Sequence, residues 1–200
     1  MTPVRDLMAF VSSAVRAPAV IGAVAPSGTA LSDLLASVAP AHGSPVVAEL
    51  GPGTGVVSAA LRRRLPPDAR HVAIELDEGM VRHLHQTRPW LEVIPGDASD
   101  LQKLLADVGI EQVDAAVSGL PWTLFSEQLQ RSIVEQVTLV LAPGATFTTF
   151  AYRHVVRLPT QRRFRALLEE TFSEVTVTPT VWRNLPPALA YQCRHPRPRA

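Results

Sequence analysis

Short apolar runs of four to six residues alternate along this chain with longer segments in which apolar residues recur every three or four positions. The short runs are typical of buried strands in a parallel sheet, and the longer segments are typical of helices packed on its faces. Right-handed crossovers stack such strands side by side. Five strands are predicted at 46–50, 71–75, 91–95, 113–117 and 145–151, with helices centred near residues 60, 83, 103 and 133.

The last third of the chain departs from this alternation. A helix is predicted at 160–171, a strand at 174–180 and a final strand at 188–193, after Pro186-Pro187. The last two strands form a hairpin, which brings the sheet to seven strands. The predicted fold is therefore α/β and Rossmann-like, a seven-stranded, mostly parallel sheet with helices on both faces.

Composition favours one soluble domain. The 200 residues are 46% hydrophobic and 18% charged, which is enough apolar sequence for one continuous core. The formal net charge of +1 gives no large field of one sign, so a nucleic acid partner is not expected. The single cysteine, Cys193, excludes an internal disulfide and a thiol cluster, so we predict a cytoplasmic protein without a metal site.

The domain is predicted to span residues 41–193, after an N-terminal helical segment at 1–40 and before a basic tail at 194–200 that we expect to be disordered. Asp6 and Arg16 interrupt the first apolar residues, so neither a signal peptide nor a spanning helix is expected. Residues 3–17 instead predict an amphipathic helix, which could lie in a bilayer interface or pack on the domain itself. Its apolar stripe consists of Val4, Leu7, Met8, Val11 and Val15.

A glycine-rich loop follows the first strand, with the sequence Glu49-Leu50-Gly51-Pro52-Gly53-Thr54-Gly55. Between a strand and a helix, such a loop presents backbone N–H groups to a ligand, although it also occurs as a bare structural turn. A nucleoside triphosphate loop needs a lysine after its last glycine, and a dinucleotide loop needs a glycine at position 56. Val56 disfavours both.

Acidic residues stand at the carboxyl ends of three successive predicted strands. Glu49 is poorly placed for a pyrophosphate and suits a cofactor that carries an ammonium and a sulfonium. Glu75, followed by Leu76, can accept hydrogen bonds from two ribose hydroxyls. Asp97 can accept from an adenine amine while the N–H of Ala98 reaches the ring, or it can cap the next helix.

With these residues the segment from about 46 to 151 resembles S-adenosyl-L-methionine-dependent methyltransferases. Ser118-Gly119-Leu120-Pro121-Trp122 stands where adenine dimethyltransferases carry an Asn/Asp-Pro-Pro-Tyr type motif. Ser118 replaces the group that grips a flipped adenine, which argues against nucleic acid methylation. The resemblance implies a cofactor site formed by Glu49, Gly51, Gly53, Thr54, Gly55, Glu75, Leu76, Asp97, Ala98 and Ser118.

Three further strings resemble bacterial phospholipid N-methyltransferases, which convert phosphatidylethanolamine stepwise to phosphatidylcholine. They lie at 20–27, 117–121 and 182–188, so the resemblance spans nearly the whole chain. Residues 152–159 depart from the Tyr-Gly-Pro pattern expected there. The resemblance implies methylation of phosphatidylethanolamine and its methylated derivatives, with weak and reversible contact of a cytoplasmic, peripheral protein with the membrane surface.

In this reaction the lone pair of an amine attacks the methyl group of the sulfonium in line, and S-adenosylhomocysteine (SAH) leaves. Orientation of the amine, acceptance of its proton and cation–π contact with it are assigned to Ser118, Leu120, Trp122 and Tyr152. Substrate binding is assigned to Phe125, Arg153, His154, Arg183 and Asn184. The aromatic residues could instead fill core, and Asn184 could brace a turn by bonding backbone two residues on.

Two other functions remain open from the sequence. One is a soluble methyltransferase that acts on a small amine or on rRNA adenine. The other is a cofactor-binding interaction module without catalysis, since Ser118 replaces an acidic or amide residue.

Overall fold

The computed structural model describes residues 28–198, which form one sheet covered by helices on both faces. The seven strands are β1 (Val46–Leu50), β2 (Arg70–Glu75), β3 (Glu92–Pro95), β4 (Val113–Ser118), β5 (Leu141–Tyr152), β6 (Phe172–Val177) and β7 (Ala188–Pro196). The helices are α1 (Thr29–Ala36), α2 (Val56–Arg64), α3 (Glu78–Thr87), α4 (Leu101–Asp107), α5 (Glu127–Val140) and α6 (Pro159–Thr171). Short 3₁₀ turns lie at Ala98–Asp100 and Trp122–Leu124.

The strands are arranged in the order β3-β2-β1-β4-β5-β7-β6. The first five are parallel, and β7 is antiparallel to both of its neighbours. This confirms the predicted seven-stranded Rossmann-like sheet. The order reverses between β1 and β4, where a crevice opens outside the carboxyl ends of parallel strands. Leu50 pairs with Ser118 at this point, so the glycine loop and the segment after β4 leave the sheet side by side.

Apolar residues pack on both faces of the sheet. On one face, residues of α4, α5 and α6 pack against β4, β5 and β7 around Trp122 and Phe147. On the other face, α1 and α2 cover β1, β4 and β7. Both faces of the central strands are therefore buried, which explains why those strands are nearly continuous apolar runs in the sequence.

Two of the predicted boundaries are wrong. Leu31 and Leu35 of α1 are fully buried against α2 and the sheet, so the domain includes this helix rather than starting at residue 41. The last strand continues to Pro196, three residues into the predicted tail at 194–200. Arg194 is held there because its Nε donates to Thr146 Oγ1 at 3.0 Å on β5.

The predicted amphipathic helix at 3–17 lies outside the described residues. Within residues 28–198 the structure contains no helix both long and apolar enough to cross a membrane.

Candidate active site

The glycine loop after β1 has the backbone conformation that its glycines predict. Gly51, Gly53 and Gly55 have φ values of +67°, +55° and +76°, which residues other than glycine rarely adopt. The N–H of Gly51 donates to the carbonyl of Ile74 at 2.9 Å, which ties the loop to the end of β2. Gly55 then begins α2, so the loop passes directly into a helix amino terminus.

The loop after β4 touches this glycine loop through its backbone. Gly119 N–H donates to the carbonyl of Leu50 at 2.8 Å. A Cβ atom on Gly119 would lie 2.6 Å from the carbonyl oxygen of Gly51, so only glycine fits. No role for Gly119 is predicted from the sequence, because this contact joins residues far apart in the chain.

Glu75 lies at the end of β2 and holds the glycine loop. Its Oε2 accepts from Gly53 N–H at 3.2 Å, and its Oε1 accepts from Asp77 N–H at 2.9 Å. Glu75 is only 6% exposed, and this burial raises the pKa of its carboxyl above the usual range, although backbone N–H groups oppose the shift. Each oxygen retains a lone pair, so the carboxylate can also receive two ribose hydroxyls.

A cleft opens beside Glu75 at the carboxyl ends of the strands. The residues predicted from the sequence that line this cleft are Gly51, Glu75, Leu76, Asp97, Ala98, Leu120 and Phe125. The cleft is also lined by four residues that were not predicted from the sequence, Ile74, Gly96, Leu129 and Ile133. Leu129 and Ile133 are four residues apart on α5 and therefore share one face of that helix, a spacing that could have identified them. Apolar walls with carboxylates at the rim fit the ring and ribose of an adenine nucleoside.

Asp97 serves as a cap and also lines the cleft. Its Oδ1 accepts from Ser99 N–H at 2.9 Å, at the start of the 3₁₀ turn. The second carboxylate oxygen takes no part in that bond and can accept from a ligand amine. Both functions considered from the sequence are therefore compatible in one side chain.

Glu49 lies outside the cleft lining and is buried beneath the glycine loop. It is 1% exposed, and its Oε2 lies 3.0 Å from His71 Nε2 on β2. Its Oε1 is buried and has no hydrogen-bond partner among the described residues. The contact between this oxygen and a cofactor ammonium stays a prediction. His71 holds the Glu49 side chain in position for such a contact.

Trp122 is a core residue, and the predicted contact of its ring with a substrate is wrong for this conformation. The side chain is 2% exposed and stacks on Phe164 of α6 with ring centroids 4.3 Å apart. Edge contacts to Phe125 and Phe147 enclose it further. Its indole N–H donates to Thr149 Oγ1 at 2.8 Å, so its polar edge is also occupied.

The carbonyls of Ser118 and Leu120, two residues to which orientation of the amine is assigned, each accept one hydrogen bond within the protein. Thr149 Oγ1 donates to the carbonyl of Ser118 at 3.3 Å, and Trp122 N–H donates to the carbonyl of Leu120 at 3.0 Å. Ser118 is fully buried, and its hydroxyl accepts from Leu120 N–H at 3.2 Å. These two residues shape the loop between them, which holds Gly119.

The other predicted substrate residues lie around the end of β5, away from the cleft lining. Tyr152 is half-buried and stacks on the exposed His154 at 5.8 Å between ring centroids. Burial raises the pKa of the Tyr152 phenol, so it stays protonated at neutral pH. The exposed Arg153 is tied to the loop before β7, because its N–H donates to the carbonyl of Pro187 at 2.7 Å.

Asn184 confirms its predicted bracing role. It is 2% exposed, and its Nδ2 donates to the carbonyl of Pro186, two residues on, at 2.6 Å. Its Oδ1 accepts from Gly28 N–H, also at 2.6 Å. Arg183, next to it, is exposed. Asn184 is thus a structural residue, whereas Arg183 is free to meet a ligand.

Comparison with known proteins decides the family. A family model described as a methyltransferase domain matches residues 47–144. The ornithine lipid N-methyltransferase of Singulisphaera acidiphila is 37% identical over 193 residues, covering 95% of this chain and 96% of that protein. The chain belongs to the same family as that N-methyltransferase, within the class I S-adenosylmethionine-dependent methyltransferases. Family membership supports an enzyme over the interaction module considered from the sequence.

Solved methyltransferases share the fold at low identity. The Bacillus cereus O-methyltransferase in complex with SAH matches with a TM-score of 0.65 and 17% identity, over 97% of this chain and 92% of its own. TomG, an O-methyltransferase from Streptomyces achromogenes in complex with S-adenosylmethionine, matches with a TM-score of 0.65 and 20% identity, over 94% and 90%. S-adenosyl-L-methionine is the cofactor of this methyltransferase, and the acid-rimmed cleft is suited to its adenosine.

Replacing Asp97 with alanine is expected to weaken binding of S-adenosylmethionine about tenfold, because one charge-assisted hydrogen bond to the adenine amine is lost. Isothermal titration calorimetry measures this loss. Ser99→Ala is the matched control, since it leaves the backbone N–H that Asp97 caps. Affinity of Asp97→Ala equal to that of the parent would show that the carboxylate does not contact the adenine.

Cofactor affinity is expected to fall as the pH is lowered through the raised pKa of Glu75. Ribose hydroxyls donate to the ionised carboxylate, so protonation removes an acceptor. The decline should therefore begin at a higher pH than an ordinary glutamate would give. Folding stability changes in the opposite direction, because the contribution of Glu75 is present below its unfolded pKa and is lost as the pH rises through the raised folded value.

Calorimetry across the weakly acidic range tests this dependence, with Glu75→Gln as the control. Glutamine does not titrate, so its weaker binding should stay flat across that range. A decline of equal steepness in Glu75→Gln would assign the pH dependence to another group.

Proposed function

We propose that this methyltransferase transfers methyl groups from S-adenosylmethionine to the amine of a membrane lipid headgroup. The observation that carries the proposal is the full-length similarity to the ornithine lipid N-methyltransferase. It favours an ornithine lipid as acceptor over phosphatidylethanolamine, the acceptor predicted from the sequence. Both are zwitterionic headgroups that join a primary amine to an anionic group, which is a carboxylate in the first and a phosphate in the second.

The bound cofactor supplies a methyl group on a positively charged sulfur. The chain must present the acceptor amine in its neutral form, with the lone pair directed at that methyl. A buried site favours the neutral amine, because burial disfavours the ammonium charge. No acid catalyst or covalent intermediate on the protein is required.

We assign the orientation of the amine to the carbonyl of Gly119. The carbonyls of Ser118 and Leu120 accept hydrogen bonds from Thr149 and Trp122, whereas no residue in the described part of the chain donates to the Gly119 carbonyl. The Gly119 N–H bond to Leu50 fixes this peptide directly beside the cofactor loop. An amine N–H donated to that carbonyl would leave the nitrogen lone pair free for the methyl group.

Tyr152 and His154 provide an aromatic wall near the end of β5. Their rings are stacked with an interplanar angle of 17°. A methylated ammonium gains about 0.5–2 kcal/mol over such a ring face. We assign to this pair the cation–π contact that Trp122, in the core, cannot make.

Exposed arginines near this wall fit the anionic group of the headgroup. Arg153 follows Tyr152 directly, and Arg183 lies in the loop that Arg153 N–H anchors. Within residues 28–198 neither arginine forms an ion pair with a carboxylate. A planar guanidinium can bind a carboxylate or a phosphate with two hydrogen bonds, so this arrangement suits either lipid.

Incubation with methyl-labelled S-adenosylmethionine and four acceptors tests the proposal. The acceptors are vesicles with ornithine lipid, vesicles with phosphatidylethanolamine, a soluble primary amine and adenine-containing RNA. Label in the lipid phase supports the proposal, with the ornithine lipid expected to take more. Label confined to the soluble amine or to RNA would overturn it, and Glu75→Ala should remove label from every acceptor.

A further inference from the structure

The loop between β6 and β7, residues 178–187, exposes two large apolar side chains. Trp182 is 72% exposed and Leu185 is 80% exposed, the highest values for large hydrophobic residues in the described part of the chain. Single exposed apolar residues are ordinary, but a tryptophan and a leucine three positions apart form a patch. Neither side chain contributes to the cleft.

This loop is held in place rather than left free. Val181 N–H donates to the carbonyl of Ala188 at 2.7 Å, which closes its base. The buried Asn184 bonds Pro186 and Gly28 from inside the loop, while its neighbours point outward. Because the backbone is already ordered, burying the exposed side chains against a partner would cost little conformational entropy.

The loop itself and the segment that follows β5 carry arginines and no acidic residue. Residues 152–168 contain five arginines and no Asp or Glu, and no acidic residue follows Glu174 in the sequence. Arg153 and Arg183 are exposed beside the loop, and Arg157 is exposed four residues after Arg153. Apolar side chains beside arginines that form no ion pair within residues 28–198 match a surface that is negatively charged outside and apolar beneath.

The loop also lies at the same end of the sheet as the cleft assigned to the cofactor. Tyr152, the last residue of β5, pairs with Ala188, the first residue of β7. The loop before Ala188 therefore lies beside the carboxyl ends of the parallel strands, at the cofactor edge. The bond from Asn184 to Gly28 brings the start of the described chain to the same corner.

We propose that Trp182 and Leu185, flanked by Arg153, Arg157 and Arg183, dock this protein on the surface of an anionic lipid bilayer. Tryptophan prefers the bilayer interface, where its ring meets acyl chains and its N–H meets the headgroups. Leu185 enters the apolar layer, and the arginines bind lipid phosphates. This docking would turn the Tyr152 edge toward the headgroups, so the inference rests on a lipid being the acceptor.

Flotation with vesicles tests the docking surface without turnover. Cofactor-free protein is mixed with phosphatidylglycerol–phosphatidylcholine vesicles, and the partition coefficient is measured for the parent and for Trp182→Ala/Leu185→Ala. We expect the double variant to lose about tenfold in partitioning, with weaker binding of the parent in high salt. Leu139→Ala, which truncates a 36% exposed leucine near the C-terminal end of α5, just before β5 begins, should bind like the parent. Unchanged partitioning of the double variant would overturn the proposal.

Fluorescence gives a second measurement that does not depend on a large truncation. Brominated acyl chains quench a tryptophan that enters the bilayer, so they should quench the parent and Trp90→Phe but not Trp182→Phe. Trp122 is buried and stays unquenched in all three proteins. Equal quenching in Trp182→Phe and the parent would place another tryptophan at the membrane and contradict the assignment.

Turnover separates this inference from the proposed function. On vesicles, the double variant should methylate lipid more slowly than the parent, while on a short-chain monomeric analogue of the same lipid the two should be equal. Equal rates on vesicles would overturn the docking surface and leave the lipid acceptor standing. A parent that labels no lipid would overturn the proposed function, and flotation would still decide whether the loop binds a bilayer.

Discussion

Replacing Trp122 with alanine is expected to lower the free energy of unfolding by about 3–5 kcal/mol, because it empties a large buried site. The ring is 2% exposed and stacks on Phe164, while its N–H bonds Thr149. These contacts join the loop after β4 to α6 and β5, so the cavity would lie where three elements meet. Urea denaturation measures the loss.

Trp182→Ala is the matched control for this change. Trp182 is 72% exposed, so the same truncation should alter the free energy of unfolding by about 0.5 kcal/mol or less. Trp122→Phe keeps an aromatic ring and loses the indole N–H, which should cost roughly 1–2 kcal/mol. If Trp122→Ala were no more destabilising than Trp182→Ala, Trp122 would not be the core residue that the structure shows.

Replacing Glu75 with alanine is expected to weaken binding of S-adenosylmethionine about 100-fold, because two charge-assisted hydrogen bonds to the ribose are lost. The loss has a second source, since Gly53 N–H also loses its acceptor and the glycine loop is no longer held. Calorimetry measures the affinity, and circular dichroism checks that the variant is folded.

Glu92→Ala provides the control for removal of a strand-end glutamate. Glu92 begins β3, at the amino ends of the parallel strands and away from the cleft, and forms a surface ion pair with Arg70 at 2.7 Å. Exposed pairs of this kind contribute little, so cofactor affinity should match the parent. A loss in Glu92→Ala comparable to that in Glu75→Ala would point to a general effect on folding rather than to a lost ribose contact.

The sequence predicted strands best where burial on both faces gives an unbroken apolar run. Residues 46–50 were predicted as a strand and are β1 without any shift, because every residue there is apolar except Glu49. The end of β7 was missed for the opposite reason. Residues 194–196 look like a charged tail, and only their partners on β5 and β6, at least twenty residues away in sequence, make them a strand.

The residues of the candidate site also fall into two groups, those predicted from the local sequence and those that depend on contacts with distant residues. The glycine conformations and Glu75 follow from local pattern, because a strand, a tight loop and a helix start are encoded within a few residues. Trp122 was misplaced because its motif position suggested a ligand contact, whereas its stacking partner Phe164 comes 42 residues later. His71 and Thr149 were missed because an unremarkable strand residue becomes part of a site only through its neighbours.

The backbone contact between Gly119 and Gly51 couples two binding events. In the proposed function one loop contacts the cofactor and the other contacts the acceptor, and their backbones approach too closely for a side chain on Gly119. A ligand that orders either loop also orders the other, so the second ligand binds with less loss of conformational entropy. Thermodynamic reciprocity then requires cofactor and acceptor to strengthen each other's binding by the same factor. The methyl donor and the lipid should therefore bind this enzyme cooperatively, through a contact that is made by backbone atoms alone.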